Sequence, residues 1–199
     1  MADGAPQVLA FVGAPAAGKT EAASVAREMG IPVITMGDVI RDELRRRGLS
    51  LNDENAGRIA NELRECEGMD AIAKRCIPLI KDLKDTGGKK ASKRVIVIDG
   101  IRGLAEVERF KKEFGTDFVL IRIDAPLILR YERIKRRGRG DDLLSLEGFK
   151  EREERENRWG MGEAMNKADK VVKNEGSLEE FKDAIKRILN EIQIGFYRS

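Results

Sequence analysis

The chain alternates short apolar runs with longer segments in which apolar residues recur at helical spacing. Four apolar runs rich in β-branched residues and a weaker fifth occur at 7–12, 33–35, 94–99, 118–123 and 170–173. Runs that are apolar throughout, rather than at every second position, are typical of strands covered on both faces. The segments between them carry an apolar helical face, as at Val107, Phe110 and Phe114. Strands that alternate with helices predict an α/β fold with a mainly parallel sheet.

The last predicted helix has a clear start. Ser177-Leu-Glu-Glu180 has the spacing of a capping box, in which the first and fourth side chains bond to each other's backbone N–H. Five apolar residues then share one helical face: Leu178, Phe181, Ile185, Ile188 and Ile192. The pattern predicts a C-terminal helix that packs on the sheet.

Two segments depart from the alternation. Residues 52–84 are helical in pattern, with Gly68 as a break and Pro78 marking either a kink or the start of another helix. This insert lies between the second and third strands, where it would cover an acceptor. Residues 126–160 form two strongly charged helical stretches around a Gly/Arg/Asp loop. We therefore expect a single domain over residues 1–199, with a helical insert and a lid.

Composition narrows the possible chemistry. The 199 residues include 38 Lys+Arg, 35 Asp+Glu and no His. The absence of His excludes Ser-His-Asp triads, His-liganded zinc and imidazole acid–base catalysis. A net charge of +3 indicates a charged surface rather than a polycation. Neither a signal peptide nor an apolar run of about 18 residues is present, so we expect a cytoplasmic protein that does not bind membranes.

The residues after the first apolar run carry the clearest motif. They fit GxxxxGK[ST] in full: Gly13, Ala14, Pro15, Ala16, Ala17, Gly18, Lys19 and Thr20. A glycine-rich turn between a strand and a helix exposes successive backbone N–H groups, and the helix N-terminus adds positive potential toward phosphate oxygens. Lys19 would bridge the β- and γ-phosphates, and the Thr20 hydroxyl would ligate Mg²⁺. This phosphate-binding loop (P-loop) predicts a nucleoside triphosphate as cofactor.

The third apolar run ends in Asp99, directly before a glycine. A carboxylate at the C-terminal edge of a strand beside the P-loop strand can hold Mg²⁺ through its water shell, so Asp99 joins Thr20 as a metal candidate. The alternative is a simple turn-starting Asp–Gly pair. The letters of the GTPase motif NKxD occur at 166–169, but in a helical stretch rather than at a strand end, and we interpret them as chance.

Polar residues after the second and third runs predict an acceptor site. Arg41 and Arg102 would clamp a phosphate of the acceptor, and Asp38 would orient or deprotonate its nucleophilic oxygen. The alternative for Asp38 is a cap for a helix that begins at Val39.

Between residues 130 and 139, six of ten residues are cationic. Arg130, Arg133 and Arg137 recur at helical spacing, where like charges repel unless an anion such as polyphosphate lies nearby. Seven acidic residues follow within 141–156, so two exposed helices that neutralise each other are the alternative. We favour an arginine-bearing lid in which Arg133 and Arg137 stabilise the transferring phosphoryl group.

These motifs together resemble the P-loop nucleoside and nucleotide kinases. TMGDVIR (35–41) resembles the TGDLLR segment of adenylate kinases, and IDGIR (98–102) resembles their DGFPR segment. Residues 168–180 are similar to the ADxxIxNxGSxEEL ending of dephospho-CoA kinases. The chain is most similar to an archaeal group of dephospho-CoA-kinase-like, adenylate-kinase-related proteins, whose recurring segments are matched at 99–110, 130–142 and 160–174. The resemblance extends from residue 8 to about residue 192.

The resemblance implies a five-stranded parallel sheet in the order 2-3-1-4-5. It places ATP at the P-loop and the segment around Asn174 against the adenine base, and it assigns acceptor binding to the stretch from Asp38 through the 52–84 insert. The implied activity is an ATP- and Mg²⁺-dependent transfer of the γ-phosphoryl group to a small nucleotide-like acceptor. Asp38 suits a hydroxyl acceptor such as dephospho-CoA, whereas Arg41 and Arg102 suit a nucleoside monophosphate, and both acceptors stay open.

Two other functions remain as hypotheses. One is an ATPase that acts with a nucleic acid or protein partner through the basic segment 86–93 and the arginine-rich helix; its affinity for nucleic acid would fall steeply with salt. The other is a regulatory switch that binds ATP without turnover. The resemblance favours the kinase over both.

Overall fold

A five-stranded parallel sheet forms the centre of the molecule. The computed structural model describes residues 7–85, 95–137, 145–158 and 160–195. The strands are β1 (Gln7–Val12), β2 (Val33–Thr35), β3 (Val95–Asp99), β4 (Phe118–Asp124) and β5 (Lys170–Lys173). Their order is β2-β3-β1-β4-β5, and every pairing is parallel. The expected fold class and strand order are confirmed.

Helices cover both faces of the sheet because its strands are apolar on both sides. They are α1 (Lys19–Glu28), α2 (Met36–Arg46), α3 (Asp53–Glu67), α4 (Ala71–Asp85), α5 (Leu104–Phe114), α6 (Leu127–Arg137), α7 (Leu146–Arg158), α8 (Met161–Asn166) and α9 (Leu178–Gly195). One apolar cluster joins α1 and α9 to the sheet, and a second joins α2, α3, α4, α5 and α8 to its opposite face. One face of the sheet is thus covered by α1, which follows the P-loop, together with α9. The other face is covered by the helical insert with α2, α5 and α8.

The helical insert consists of α3 and α4. Gly68, with a φ of 98°, ends α3 as expected, and α4 runs on through Pro78 without starting a new helix. Arg47, directly after α2, donates to Glu62 of α3 at 2.7 Å, and this ion pair ties the insert to α2.

The capping box of α9 is confirmed. Ser177 Oγ accepts from the Glu180 N–H at 3.2 Å, and the Ser177 N–H donates to Glu180 Oε2 at 2.8 Å. Phe181 and Ile185 are buried, but Leu178 is 55% exposed, so its expected place on the buried face is wrong. It lies in the first turn of α9, outside the apolar cluster that holds the rest of the helix to the sheet.

Some features of the sequence lie outside the described residues. They include the basic segment 86–93 and the loop at 138–143. In the parts of the chain described here, no helix has both the length and the apolar character that crossing a membrane requires.

Candidate active site

The P-loop lies between the end of β1 and the start of α1. Gly18 precedes the helix with a φ of 115° and supplies no side-chain cap, and Ala16 also has a positive φ, 59°. A Cβ on Gly13 would lie 2.5 Å from the carbonyl oxygen of Ile123, so only glycine fits there. The first N–H groups of a helix lack intrahelical acceptors, and those of α1 are therefore suited to phosphate oxygens.

Lys19 and Thr20 occupy the first turn of α1. The Lys19 ammonium donates to the carbonyl oxygens of Gly13 and Ala14, the latter at 3.0 Å, and so lies over the loop. Thr20 is exposed, so its hydroxyl is accessible to a metal ion. Gly13, which has no room for a side chain, and the Lys19 ammonium, which lies over the loop, both fit a polyphosphate.

Asp99 ends β3 and pairs in register with Thr35 of β2. Burial raises the pKa of the Asp99 carboxyl, while the positive charges of Lys19, Arg27 and Arg102 oppose that rise. The neighbouring Arg27 also donates to Thr35 Oγ1 at 3.1 Å. The positive charges of Lys19 and Arg102, both predicted site residues, therefore act on Asp99 at the carboxyl edge of the sheet.

A magnesium site built from these residues would use few protein oxygens. Among the described residues, no group of three Cys, Asp or Glu side chains is arranged to hold a metal ion. Mg²⁺ usually keeps several waters and binds one or two protein oxygens plus substrate phosphates. The Thr20 hydroxyl and the Asp99 carboxylate fit that requirement without a larger cluster.

Helix α2 places Asp38 and Arg41 together. The helix begins at Met36 with Thr35 in the N-cap position, so the alternative that Asp38 caps a helix starting at Val39 is wrong. The extended backbone of Thr35 ends β2 and leads directly into the helix, which puts Asp38 in the first turn. There the Arg41 guanidinium donates to Asp38 Oδ1, with 2.9 Å from Nε, and both side chains are exposed.

Arg102 is exposed, and its backbone is held by a buried carboxylate. The Arg102 N–H donates to Glu106 Oε2 at 2.6 Å, and Arg64 of the insert approaches Glu106 Oε1 at 3.4 Å. Burial raises the pKa of Glu106, while these two arginines oppose that rise. Neither Glu106 nor Arg64 was identified from the sequence, because α3 and α5 meet only in the folded chain.

The arginines of α6 differ in what they contact. Arg133 donates from Nη2 to the backbone oxygen and to Oδ1 of Asn174, both at 2.9 Å. Arg137 is the last residue of the helix. Arg130, whose spacing with Arg133 and Arg137 suggested an arginine-bearing lid, reaches the P-loop itself and donates to the Pro15 carbonyl at 3.2 Å.

Asn174 lies directly after β5 and is 6% exposed. Its amide donates to the carbonyl of Ala17 at 2.8 Å, and its backbone N–H donates to Asp124 at 2.7 Å. The side chain therefore contacts the P-loop and Arg133. Its expected contact with an adenine base remains a prediction.

Comparisons with known proteins show which families the chain is similar to. A family model described as an AAA domain matches residues 12–150. A UPF0200 protein of Methanosarcina barkeri is 52% identical over 184 residues, which cover 92% of this chain and 95% of that protein. A UPF0200/UPF0201 protein of Archaeoglobus fulgidus is 59% identical over 92% of this chain, which spans only 55% of that relative's length.

A solved dephospho-CoA kinase from Campylobacter jejuni is similar in structure. Its TM-score is 0.61 at 20% identity, over 94% of this chain and 98% of that one. The chain thus has a P-loop fold that is similar to the fold of this kinase. The chain belongs to the AAA-domain family and to the archaeal UPF0200 proteins.

Proposed function

We propose that the protein is an ATP- and Mg²⁺-dependent phosphotransferase that moves the γ-phosphoryl group of ATP to a small nucleotide-like acceptor. The observation that carries this proposal is that the P-loop with Lys19 follows β1, while Asp99 ends the neighbouring parallel strand β3 and Arg102 follows it, so that all three lie at one sheet edge. Phosphoryl transfer needs positioning and charge stabilisation rather than covalent chemistry from the protein. A chain without histidine can supply both.

On the nucleotide side, the P-loop and Lys19 would bind the phosphates. The Lys19 ammonium, now bonded to the loop carbonyls of Gly13 and Ala14, would exchange these acceptors for phosphate oxygens. Thr20 and Asp99 would hold Mg²⁺, which supplies neutralising charge to the phosphates. The exposed residues Glu175 and Gly176, next to Asn174, would lie beside the base.

On the acceptor side, Asp38 and Arg41 would contact the incoming group. Their ion pair keeps a carboxylate beside a guanidinium on the first turns of α2. The carboxylate would accept a proton from a hydroxyl acceptor, and Arg41 with Arg102 would bind an acceptor phosphate. Dephospho-CoA and nucleoside monophosphates therefore both belong in a test of substrates.

The α6 arginines would act on the opposite side of the P-loop. Arg133 donates to Asn174 and would position this residue beside the nucleotide. Arg137 would contact the transferring phosphoryl group from the end of α6. Cationic groups at that position stabilise charge that develops during transfer.

The proposal is tested by measuring ADP formation from MgATP with dephospho-CoA and with each nucleoside monophosphate in turn. At least one acceptor should stimulate ADP formation, and Lys19→Ala should reduce the stimulated rate by about 100-fold or more. Lys112→Ala, on the exposed surface of α5, is the matched control and should leave the rate unchanged. Slow ADP formation that no acceptor stimulates would contradict the kinase and favour an ATPase.

A further inference from the structure

The guanidinium of Arg130 joins three parts of the chain that are distant in sequence. From α6, Nε donates to the carbonyl of Ala125 at 2.9 Å, and Nη1 donates to the carbonyl of Pro15 in the P-loop at 3.2 Å. Nη2 donates to both carboxylate oxygens of Glu153 on α7, at 3.0 and 3.1 Å. One side chain therefore connects the loop after β4, the P-loop and the second lid helix.

Arg130 is buried, which makes its partners energetically important. It is 5% exposed and lies 5.6 Å from the centre of the Phe149 ring, which is itself fully buried. A buried guanidinium needs a compensating anion and filled hydrogen-bond positions, since an uncompensated buried charge is strongly unfavourable. Glu153 supplies the negative charge, so α7 must stay close for Arg130 to keep its contact with Pro15.

A second connection runs in parallel. Arg133 donates to Asn174, and the Asn174 amide donates to Ala17. The carbonyls held by the two connections, Pro15 and Ala17, flank Ala16, whose φ of 59° is unfavourable for a residue with a Cβ. Contacts on both sides of such a residue help to keep the loop in its phosphate-binding conformation.

We infer that Arg130 is a positioning residue that couples the conformation of the P-loop to the placement of α7 through Pro15 and Glu153. The inference rests on the proposed function in one respect, namely that the P-loop binds ATP. ATP that fixes the loop also fixes the Pro15 carbonyl, and through Arg130 it holds α7 in place. A change at Glu153 reaches the phosphate site by the same route.

The first test is direct binding of a fluorescent ATP analogue to Glu153→Gln. Glutamine keeps the size and one acceptor oxygen but removes the charge that compensates Arg130, so the analogue should bind at least about fivefold more weakly. Glu132→Gln is the matched control, because Glu132 pairs with Arg136 at 3.8 Å on the exposed side of α6. A loss smaller than fivefold for Glu153→Gln, or an equal loss for Glu132→Gln, overturns the inference.

The second test follows amide hydrogen exchange with and without MgATP. In the wild type, ATP should slow exchange in residues 146–158 as well as in the P-loop. In Arg130→Lys, which cannot reach all three partners at once, ATP should slow exchange in the P-loop only. Protection of α7 in both proteins, or in neither, overturns the inference. If Arg130 only stabilised the fold, ATP would protect α7 to the same extent in the wild type and in Arg130→Lys.

The binding test also separates the two levels of the proposal. If the wild type binds no ATP, both the proposed function and the coupling are wrong. If the wild type binds ATP and Glu153→Gln binds it with the same affinity, only the coupling is wrong.

Discussion

At the residue scale, the backbone of Gly18 determines how closely the P-loop packs on its neighbours. A Cβ at this position would lie 2.5 Å from the Asn174 amide nitrogen and 3.2 Å from the Phe181 ring, in a backbone with a φ of 115°. Gly18→Ala should therefore lower the free energy of unfolding by more than about 2 kcal/mol, since both strain and overlap contribute. Urea denaturation measures the loss, and ATP binding should weaken with it.

Gly48→Ala is the matched control for that substitution. Gly48 also has a positive φ, 65°, but no atom lies within 4 Å of its Cβ position. Gly48→Ala should lower the free energy of unfolding only through backbone strain, by about 1–2 kcal/mol. Equal losses for the two variants would show that the contacts of Gly18 with Asn174 and Phe181 are not tight.

The carboxyl of Asp99 should make stability depend on pH. Burial raises its pKa in the folded protein, so ionising the group costs stability. This cost is absent below the pKa of the unfolded chain and is complete once the pH exceeds the raised value. Asp99→Asn should thus have a higher Tm than the wild type at neutral pH, and the difference should vanish near about pH 3.

Calorimetry in metal-free buffer across that range checks the prediction. Asp42→Asn, on the exposed surface of α2, should show no such gain. A lower Tm for Asp99→Asn at neutral pH would mean that the attraction of Lys19, Arg27 and Arg102 outweighs the desolvation of the carboxylate.

At the scale of an element, α2 contains two similar ion pairs that differ in their distance from the site. Arg41 pairs with Asp38 in the first turns, and Arg45 pairs with Asp42 one turn farther on, both at i,i+3 spacing and both exposed. Arg41→Gln should raise the KM of the acceptor by about tenfold or more, whereas Arg45→Gln should leave it unchanged. Steady-state kinetics with saturating ATP measures both, and equal effects would place the acceptor elsewhere.

Helix α4 offers a test of stability that does not involve the site. Pro78 is exposed in the interior of this helix, where proline lacks an N–H donor and crowds the carbonyl of Lys74. Pro78→Ala should therefore raise the free energy of unfolding by about 1–3 kcal/mol, after the greater freedom of the unfolded chain is subtracted. Leu79→Ala, at the exposed position beside it, should give no increase. Destabilisation of Pro78→Ala would show that the proline has a packing role.

The elements themselves could be predicted because their signals are local. The P-loop occupies eight consecutive residues, and the capping box joins Ser177 to Glu180 within one turn. The start of α2 was harder, because Asp38 and Thr35 are both good N-cap residues and only the end of β2 decides between them. Leu178 was misplaced because the helical pattern does not reveal how far the sheet extends under the first turn of α9.

At the scale of the whole molecule, the connections that hold the P-loop could not be predicted. Arg130 is 115 positions from Pro15, and Asn174 is 157 positions from Ala17. No periodicity or spacing links residues so far apart, and the fold alone brings them together. The charge pattern of α6 suggested an arginine-bearing lid, but it did not show that Arg130 is buried against the loop rather than exposed to a ligand.

The arrangement of the parallel strands explains why the candidate residues converge. Every strand ends at the same edge of the sheet, so the P-loop after β1 and Asp99 at the end of β3 meet there. The insert lies on one face of the sheet and α1 with α9 on the other. Under the proposed function, the nucleotide and the acceptor would approach this edge from different sides.

The most direct test of the account follows the γ-phosphoryl group itself. ATP radiolabelled at the γ-phosphate is incubated with the protein, Mg²⁺ and the acceptor that stimulates ADP formation, and the products are separated. If the protein is a kinase, label should appear on the acceptor in amounts equal to the ADP formed, and Lys19→Ala should transfer none. Label that appears only as inorganic phosphate, whatever acceptor is present, would contradict the assignment of the protein as a kinase.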